Sequence, residues 1–451
     1  MIHLHTPAPP ARTGTAAYAG RLLRELRRLG APPEALRVVT EAPGGPCEGF
    51  ARIEGAAWPR VAAPGEIHVF FLANNAAHIP VHAALRELRR IPPPNGGAPA
   101  RAIAVIHEPC CWMALNLAAG RGLGGFSTAA LTAGLEDQYG PAGGRMLEDF
   151  RAGRAAPAFE YVTHMLGHAL RGADEIWTHS RFAALKLILE SRIPAAALPR
   201  FRVFDHPPPE HLRAEHLRAE HLRAECFGAE CFGAGAAPRR AVFTVGLFGH
   251  VTRPKRVREA VRAFYRASCR VEPDELPLLR MLVAGEIPDP GRYDPRADAA
   301  ELGVADRVDF VGRLDDDGFV AGMAACGLIL NLRHPSNGET SGTLIEARAL
   351  GVATVTSDCQ AMREGGATAR VPTPPGDEVE ACARAIGAAF AAWRGRRKTG
   401  AAPPPGKDAA QDGAEDGAQD GAPPPAPLAA MIAAMARRGW RNGSRGAPWV
   451  D

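Results

Sequence analysis

The chain has 451 residues, too many for one ordinary hydrophobic core, and its length favours two or three domains. Hydrophobic residues make up 46% and charged residues 23%, which excludes a disordered chain and leaves a sizeable core available. A formal net charge of +4 is too small for a nucleic-acid footprint on a chain this long, so no nucleic-acid partner is expected. No stretch approaches the ~18 consecutive apolar residues of a membrane helix. Of the 53 Lys and Arg residues only Lys186, Lys255, Lys398 and Lys407 are lysines, so a lysine inside a folded region is informative here. The nine cysteines, an odd number without framework spacing, read as buried or free thiols of a reducing compartment.

In chain order, residues 1–5 read as a short strand rather than a signal peptide, and they enter the loop 7–14. Residues 15–29 then follow a helical period through Tyr18, Leu22, Leu23 and Leu26. An apolar run at 67–72 leads through Asn74 and Asn75 into a helical stretch to Arg90. A second run at 102–106 ends in His107-Glu108-Pro109, and a strand at 175–178 precedes Ser180 and a helix at 181–189. Short strands separated by helices predict a parallel sheet covered on both faces.

The second half repeats this style. Strands are predicted at 243–248, 279–284, 308–311, 328–332 and 353–356, the last closing the series. Helices are predicted at 257–268, 318–325 and 343–350. Two segments interrupt the pattern. From His206 the chain reads HPPPE, HLRAE three times, CFGAE and CFGAG. A five-residue step turns an α-helix by about 500°, so His211, His216 and His221 fall about 140° apart and share no face; the repeat reads as an exposed linker, not a metal site. Residues 399–427, with DAAQDGAEDGAQDGA between proline runs, read as a flexible insertion, and 428–436 as a short apolar helix that must dock somewhere.

Two constellations carry chemistry. The first runs from Arg333 to Gly351 and contains Gly338-Glu339-Thr340-Ser341-Gly342-Thr343 and then Glu346. A strand, a polar glycine-containing loop and a helix start form a natural anion site, because unpaired N–H groups point out of the sheet. Glu339 can accept from sugar hydroxyls and Glu346 from a ribose, although Thr343-x-x-Glu346 also fits a capping box. The second constellation is Gly246-Leu-Phe-Gly249-His250-Val-Thr-Arg253-Pro-Lys255-Arg256. There Gly249 permits close backbone approach and Lys255 offers a compact charge to a diphosphate. Asp315-Asp316-Asp317 resembles an acidic metal motif, but acidic residues before a helix are expected for capping and dipole reasons.

With these residues in view, 243–390 resembles the donor-binding half of glycosyltransferase family 4, retaining enzymes of the GT-B fold, in the glycosyl transferases group 1. Lys255 falls on the family's diphosphate-binding lysine and Glu346 on the second glutamate of its Glu–seven residues–Glu motif. Glu339 and Glu346 are separated by six residues, and His250 stands where the family has an arginine, with Arg253 a nearby substitute. In the first half the loop through Gly14 and Thr15 resembles the family's glycine-rich loop that faces the donor phosphates. His107 resembles its cleft histidine, Leu72-Ala-Asn-Asn75 and His78 a stretch preceding a helix, and Thr178-His-Ser180 a structural stretch.

The resemblance implies an α/β chain of two Rossmann-like doubly wound domains facing across a cleft, with low-complexity insertions. The domains would be 1–207 on the acceptor side, a repeat linker 208–240, a donor-binding domain 241–395, a low-complexity segment 396–427 and a helix and tail 428–451. It implies transfer of a hexose-like sugar, with retention, from a nucleoside-diphosphate sugar to a glycan, a lipid-linked sugar or another acceptor, as in polysaccharide biosynthesis. Lys255, Glu339 and His107 would be catalytic. Gly14, Thr15, Gly249, His250, Arg253, Lys255, Glu339, Thr340, Ser341, Gly342, Thr343 and Glu346 would bind the donor. No cofactor and no metal are expected. A cytoplasmic enzyme is expected, with peripheral contact at the inner membrane face left open by Arg-rich stretches at 22–28 and 85–90. The alternatives are a non-catalytic sugar-nucleotide or glycan binder and a nucleotide-sugar epimerase of the same fold.

Overall fold

Ile67–Leu72 reads Ile-His-Val-Phe-Phe-Leu with every residue buried, as a parallel strand covered on both faces requires. In the computed structural model, which describes residues 1–11, 13–55, 65–91, 99–156, 158–204, 206, 242–399 and 428–438, that strand is β4 of a seven-stranded sheet. The other strands are β1 (Ile2–His5), β2 (Leu36–Thr40), β3 (Ala51–Glu54), β5 (Arg101–Ile106), β6 (Glu175–Thr178) and β7 (Arg200–Val203). They lie in the order β3-β2-β1-β4-β5-β6-β7, all parallel. The pleat sends Val69 and Phe71 to one face, against the helix Gly14–Arg28, and Phe70 and Leu72 to the other, against Ile79–Leu88.

This sheet belongs to a first compact unit, residues 1–207 together with 337–340 and 422–451. The helix Leu428–Arg438 completes its core: Leu428, Ala429, Ile432 and Ala433 are fully buried beside Leu22 and Leu26, and Arg437 Nη1 donates to Leu29 O at 2.5 Å. Replacing Ile432 by Ala should therefore remove about 2–4 kcal/mol of stability. A denaturant midpoint equal to wild type would show that the helix adds nothing to this core.

The second unit comprises residues 208–336 and 341–421. Its six parallel strands are β8 (Phe243–Phe248), β9 (Leu279–Ala284), β10 (Val308–Gly312), β11 (Leu328–Asn331), β12 (Thr354–Ser357) and β13 (Ala369–Val371), in the order β10-β9-β8-β11-β12-β13. Val257–Ser268 and Glu378–Thr399 cover one face through Val261, Phe264, Ile386 and Phe390. Phe319 and Met323 of Asp316–Ala324, with Ala347 of Gly342–Ala349, pack around Phe248 and Leu282 on the other. Asp315 Oδ1 accepts from Gly318 N at 2.8 Å, which accounts for the acidic run as a helix cap.

Three expectations need correction or lie out of view. The series does not close at the strand after Val352: β13 and the 22-residue helix Glu378–Thr399 follow. The helices Trp112–Gly120, Thr128–Tyr139 and Gly143–Arg151, which pack around Trp112, are absent from the sequence-based expectation; the first two are rich in Ala, Gly and Leu and lack a clear polar face. The pentapeptide repeat with His211, His216 and His221, most of the insertion at 399–427 and the tail at 439–451 fall outside the described residues. Among the described residues no helix is long and apolar enough to cross a membrane, and the cysteines are free thiols.

Candidate active site

In both sheets the strand order reverses beside the first strand of the unit, between β1 and β4 and between β8 and β11. Ligands of open α/β sheets bind outside the carboxyl ends of the strands at such a reversal. In the second unit the loops leaving β8 and β11 are the two constellations singled out in the sequence.

The β8 loop is shaped by close backbone approach. Gly249 has φ +95° and donates its N–H to Ala284 O at 2.9 Å. A side chain at Gly285 would stand 2.0 Å from Gly249 O, so the loops leaving β8 and β9 touch backbone to backbone. Lys255 is half-buried and turns back to the end of the strand, donating from Nζ to Phe248 O at 3.2 Å. A Cβ on Gly249 would come within 2.7 Å of that ammonium. His250 and Arg253 are exposed on the same loop.

Arg256, which the sequence reading passed over, locks this arrangement. It takes the left-handed conformation (φ +57°) where the loop enters the helix Val257–Ser268, a strained choice for a long side chain. Its guanidinium donates to Glu378 at 2.8 Å and lies 3.0 Å from Glu259. Burial pushes the Glu378 carboxyl up, against the opposing pull of Arg256.

The β11 loop is tied directly to the β8 loop, with His334 N donating to Pro254 O at 2.9 Å. Arg333 N donates to Ser357 Oγ at 2.8 Å. At the helix start Ser341, not Thr343, is the cap: its Oγ accepts from Leu344 N and donates to Asn331 Oδ1 at 3.2 Å. The capping-box reading of Thr343 and Glu346 is thereby removed, because the helix begins at Gly342 and places Glu346 in its second turn, 8% exposed. Gly342 and Thr343 supply the first helical N–H groups, which have no partner further back in the helix. Asn337–Thr340, including Glu339 and the left-handed Gly338 (φ +82°), group with the first unit instead.

In the first unit, Thr13 caps the helix that begins at Gly14, and Thr15 Oγ1 lies 2.9 Å from His78 Nε2. His78 Nδ1 sits 2.7 Å from Phe71 O and must be the donor, so Nε2 accepts from Thr15. His179 repeats the device, with Nδ1 toward Phe204 O at 3.2 Å and Nε2 toward Tyr18 Oη at 3.2 Å. His107 follows β5 and stands edge-on to Tyr18, 4.7 Å between centroids, and 5.4 Å from His179. Its Nε2 is buried and has no hydrogen-bond partner among the described residues. Burial first, then the neighbouring His179, His78 and His206, holds His107 well below the usual imidazole range, so it is neutral near pH 7.

Burial also lowers His78 to about 3 and His82, His164 and His179 to about 4. Between those values and the ordinary 6.5, the unfolded chain binds protons that the folded chain refuses. The stability these neutral imidazoles lend is complete above pH 6.5 and drains as pH falls toward 4. The melting temperature should thus decline steadily from pH 7 to pH 4.5; a flat profile would contradict their burial in the neutral form.

Two parallel sheets of this order in one chain define the GT-B fold class, and solved structures agree. HepE from Anabaena, crystallised with UDP-glucose, superposes with TM-score 0.53 at 13% identity over 87% of this chain and 91% of that one. WaaG, a glycosyltransferase involved in lipopolysaccharide biosynthesis, gives 0.51 at 14% over 88% and 95%. Sucrose-phosphate synthase from Thermosynechococcus elongatus gives 0.50 at 15% over 87% and 90%. Identities this low speak for the fold alone. Residues 240–391 match the family model of glycosyl transferases group 1, in line with the resemblance seen in the motifs of the second unit. Against curated protein sequences the chain has no match.

Proposed function

We propose that the chain transfers a hexose-like sugar from a nucleoside-diphosphate sugar to a glycan, lipid-linked or other hydroxyl acceptor, with retention of configuration. The observation that carries the proposal is Lys255, whose ammonium lies at the end of β8 at the strand-order reversal, on a loop bonded to the β11 loop. In this reading the diphosphate lies against Lys255 and the N–H groups of Gly342 and Thr343. As the glycosidic bond breaks, negative charge grows on the leaving phosphate, and a fixed ammonium with oriented amides stabilises it more than it stabilises the bound donor. His250 and Arg253 add hydrogen-bond donors on the same loop, and Gly249 lets the phosphates approach the backbone.

Glu346 accepts from the ribose hydroxyls, while Glu339 and Thr340 orient the sugar. The departing phosphate takes the acceptor proton, so no dedicated protein base is needed; no cofactor or metal is part of this reading. The first unit adds Gly14 and Thr15 as backbone donors, and His107 offers a neutral imidazole to a substrate hydroxyl. The enzyme works in the cytoplasm, in peripheral contact with the membrane where the acceptor is lipid-linked.

A thermal-shift screen against UDP-, GDP-, ADP- and dTDP-sugars tests the donor site. One donor should raise the melting temperature of the wild type and leave Glu346→Ala unmoved. No shift with any donor on a cooperatively folded sample would sink the proposal in favour of a non-catalytic relative, and conversion of the sugar without acceptor would indicate an epimerase.

A further inference from the structure

Three imidazoles lie side by side on a buried sheet face of the first unit, where Phe70 and Leu72 mark an otherwise apolar layer. His3 and His68 are register partners on β1 and β4, and both are fully buried. Their rings stack at 4.7 Å between centroids and 9° between planes. His5, two residues on, is also buried and places Nε2 3.1 Å from His68 Nδ1. Buried polar groups need partners, and a stack of imidazoles supplies itself poorly because neutral rings offer one donor each.

One carboxylate serves the stack. Glu66, immediately before β4, brings Oε2 to 3.1 Å from His3 Nε2 and 3.9 Å from His68 Nε2. All three ligand atoms lie within 4.8 Å of one another. Donors held about 2.0–2.1 Å from a tetrahedral ion stand roughly 3.3 Å apart, so a small movement of these side chains would close the set around one cation. Two imidazoles and a carboxylate are a borderline nitrogen and oxygen set that suits zinc and its divalent neighbours. Arg37 and the chain's amino group lie near enough to oppose a cation, and the Glu66 charge offsets them.

We propose that His3, Glu66 and His68 form a structural site for a divalent transition-metal ion of the zinc class, with His5 orienting the His68 ring. His68 thereby has the outer partner on its second ring nitrogen that metal-bound histidines usually have. The position favours a structural role, because Glu66 enters at the amino end of β4, whereas Thr15, His78 and His107 gather at the carboxyl ends. The ion would clamp β1 to β4, with water as its fourth ligand where closed structural zinc sites have a fourth protein ligand.

The test is a Co2+ titration of the chelator-stripped full chain, read by visible d–d absorption and by melting temperature with Co2+ and with Zn2+. A background variant carrying His211→Ala, His216→Ala and His221→Ala separates this site from the repeat. One equivalent should bind in both backgrounds, be displaced by Zn2+ and raise the melting temperature. Glu66→Gln and His3→Gln should each weaken binding at least tenfold. Glu66 is 13% exposed and its amide is isosteric, so that variant keeps the test valid where His3→Gln folds poorly. Absence of binding by the wild type, binding that survives Glu66→Gln, or binding that disappears with the repeat histidines would each overturn the site.

Discussion

Lys255→Ala should lower kcat by about two to three powers of ten while leaving the fold intact. The magnitude is that of removing one preorganised donor from a developing anion, roughly 3–4 kcal/mol of transition-state stabilisation. The fold should survive because Lys255 is only half-buried, on a loop, and its Nζ bond to Phe248 O is one that water can replace. Lys255→Arg is an informative companion: a planar fork is bulkier and differently shaped than the compact ammonium that lies close to Gly249, so it should recover little of the loss. Single-turnover kinetics at saturating donor, beside a melting curve, make the measurement. Turnover by Lys255→Ala within about threefold of wild type would remove Lys255 from the chemistry.

Gly285→Ala should damage the same site by displacing the backbone of Gly249, with no change to Lys255 or Glu346 themselves. A methyl group there would lie 2.0 Å from Gly249 O and 2.7 Å from its carbonyl carbon, and neither atom can rotate away. The β8 loop must shift, breaking the Gly249 N–H bond to Ala284 O and moving the turn that carries Lys255. Overpacking of this kind costs about 1–3 kcal/mol, and transfer should fall together with the donor-induced thermal shift. Gly387→Ala is the control: it lies inside Glu378–Thr399 with open space around the added methyl, so it should be neutral or stabilising by up to about 1 kcal/mol. Equal behaviour of the two variants would mean that loop contact does not shape the site.

Much of the fold was legible because its central strands carry their own signal. Phe243–Phe248 and Leu279–Ala284 are short apolar runs bounded by turn residues, and their limits match the observed elements. Three of the four edge strands, β3, β7 and β13, were not legible, whereas the fourth, β10, was. Ala51–Glu54 is half exposed and mixes Arg and Glu with Ala and Ile, and Ala369–Val371 has only three residues. Their extended state comes from hydrogen bonds to β2 and β12, not from local pattern.

The sequence by itself determined the alternation of strands and helices, the position of Lys255 on its loop, and the family likeness of the second unit. Local periodicity, turn chemistry and motif spacing act over a few residues, and those features need nothing more. Tertiary structure alone decided the rest. The Pro254 and His334 segments meet because β8 and β11, far apart in the chain, became neighbours in the sheet. Ser341 rather than Thr343 caps its helix because Asn331 at the end of β11 holds it there. His3 and His68 face one another because a parallel register set them opposite. Pairing and register between distant strands depend on the whole core closing at once, and no local pattern encodes them.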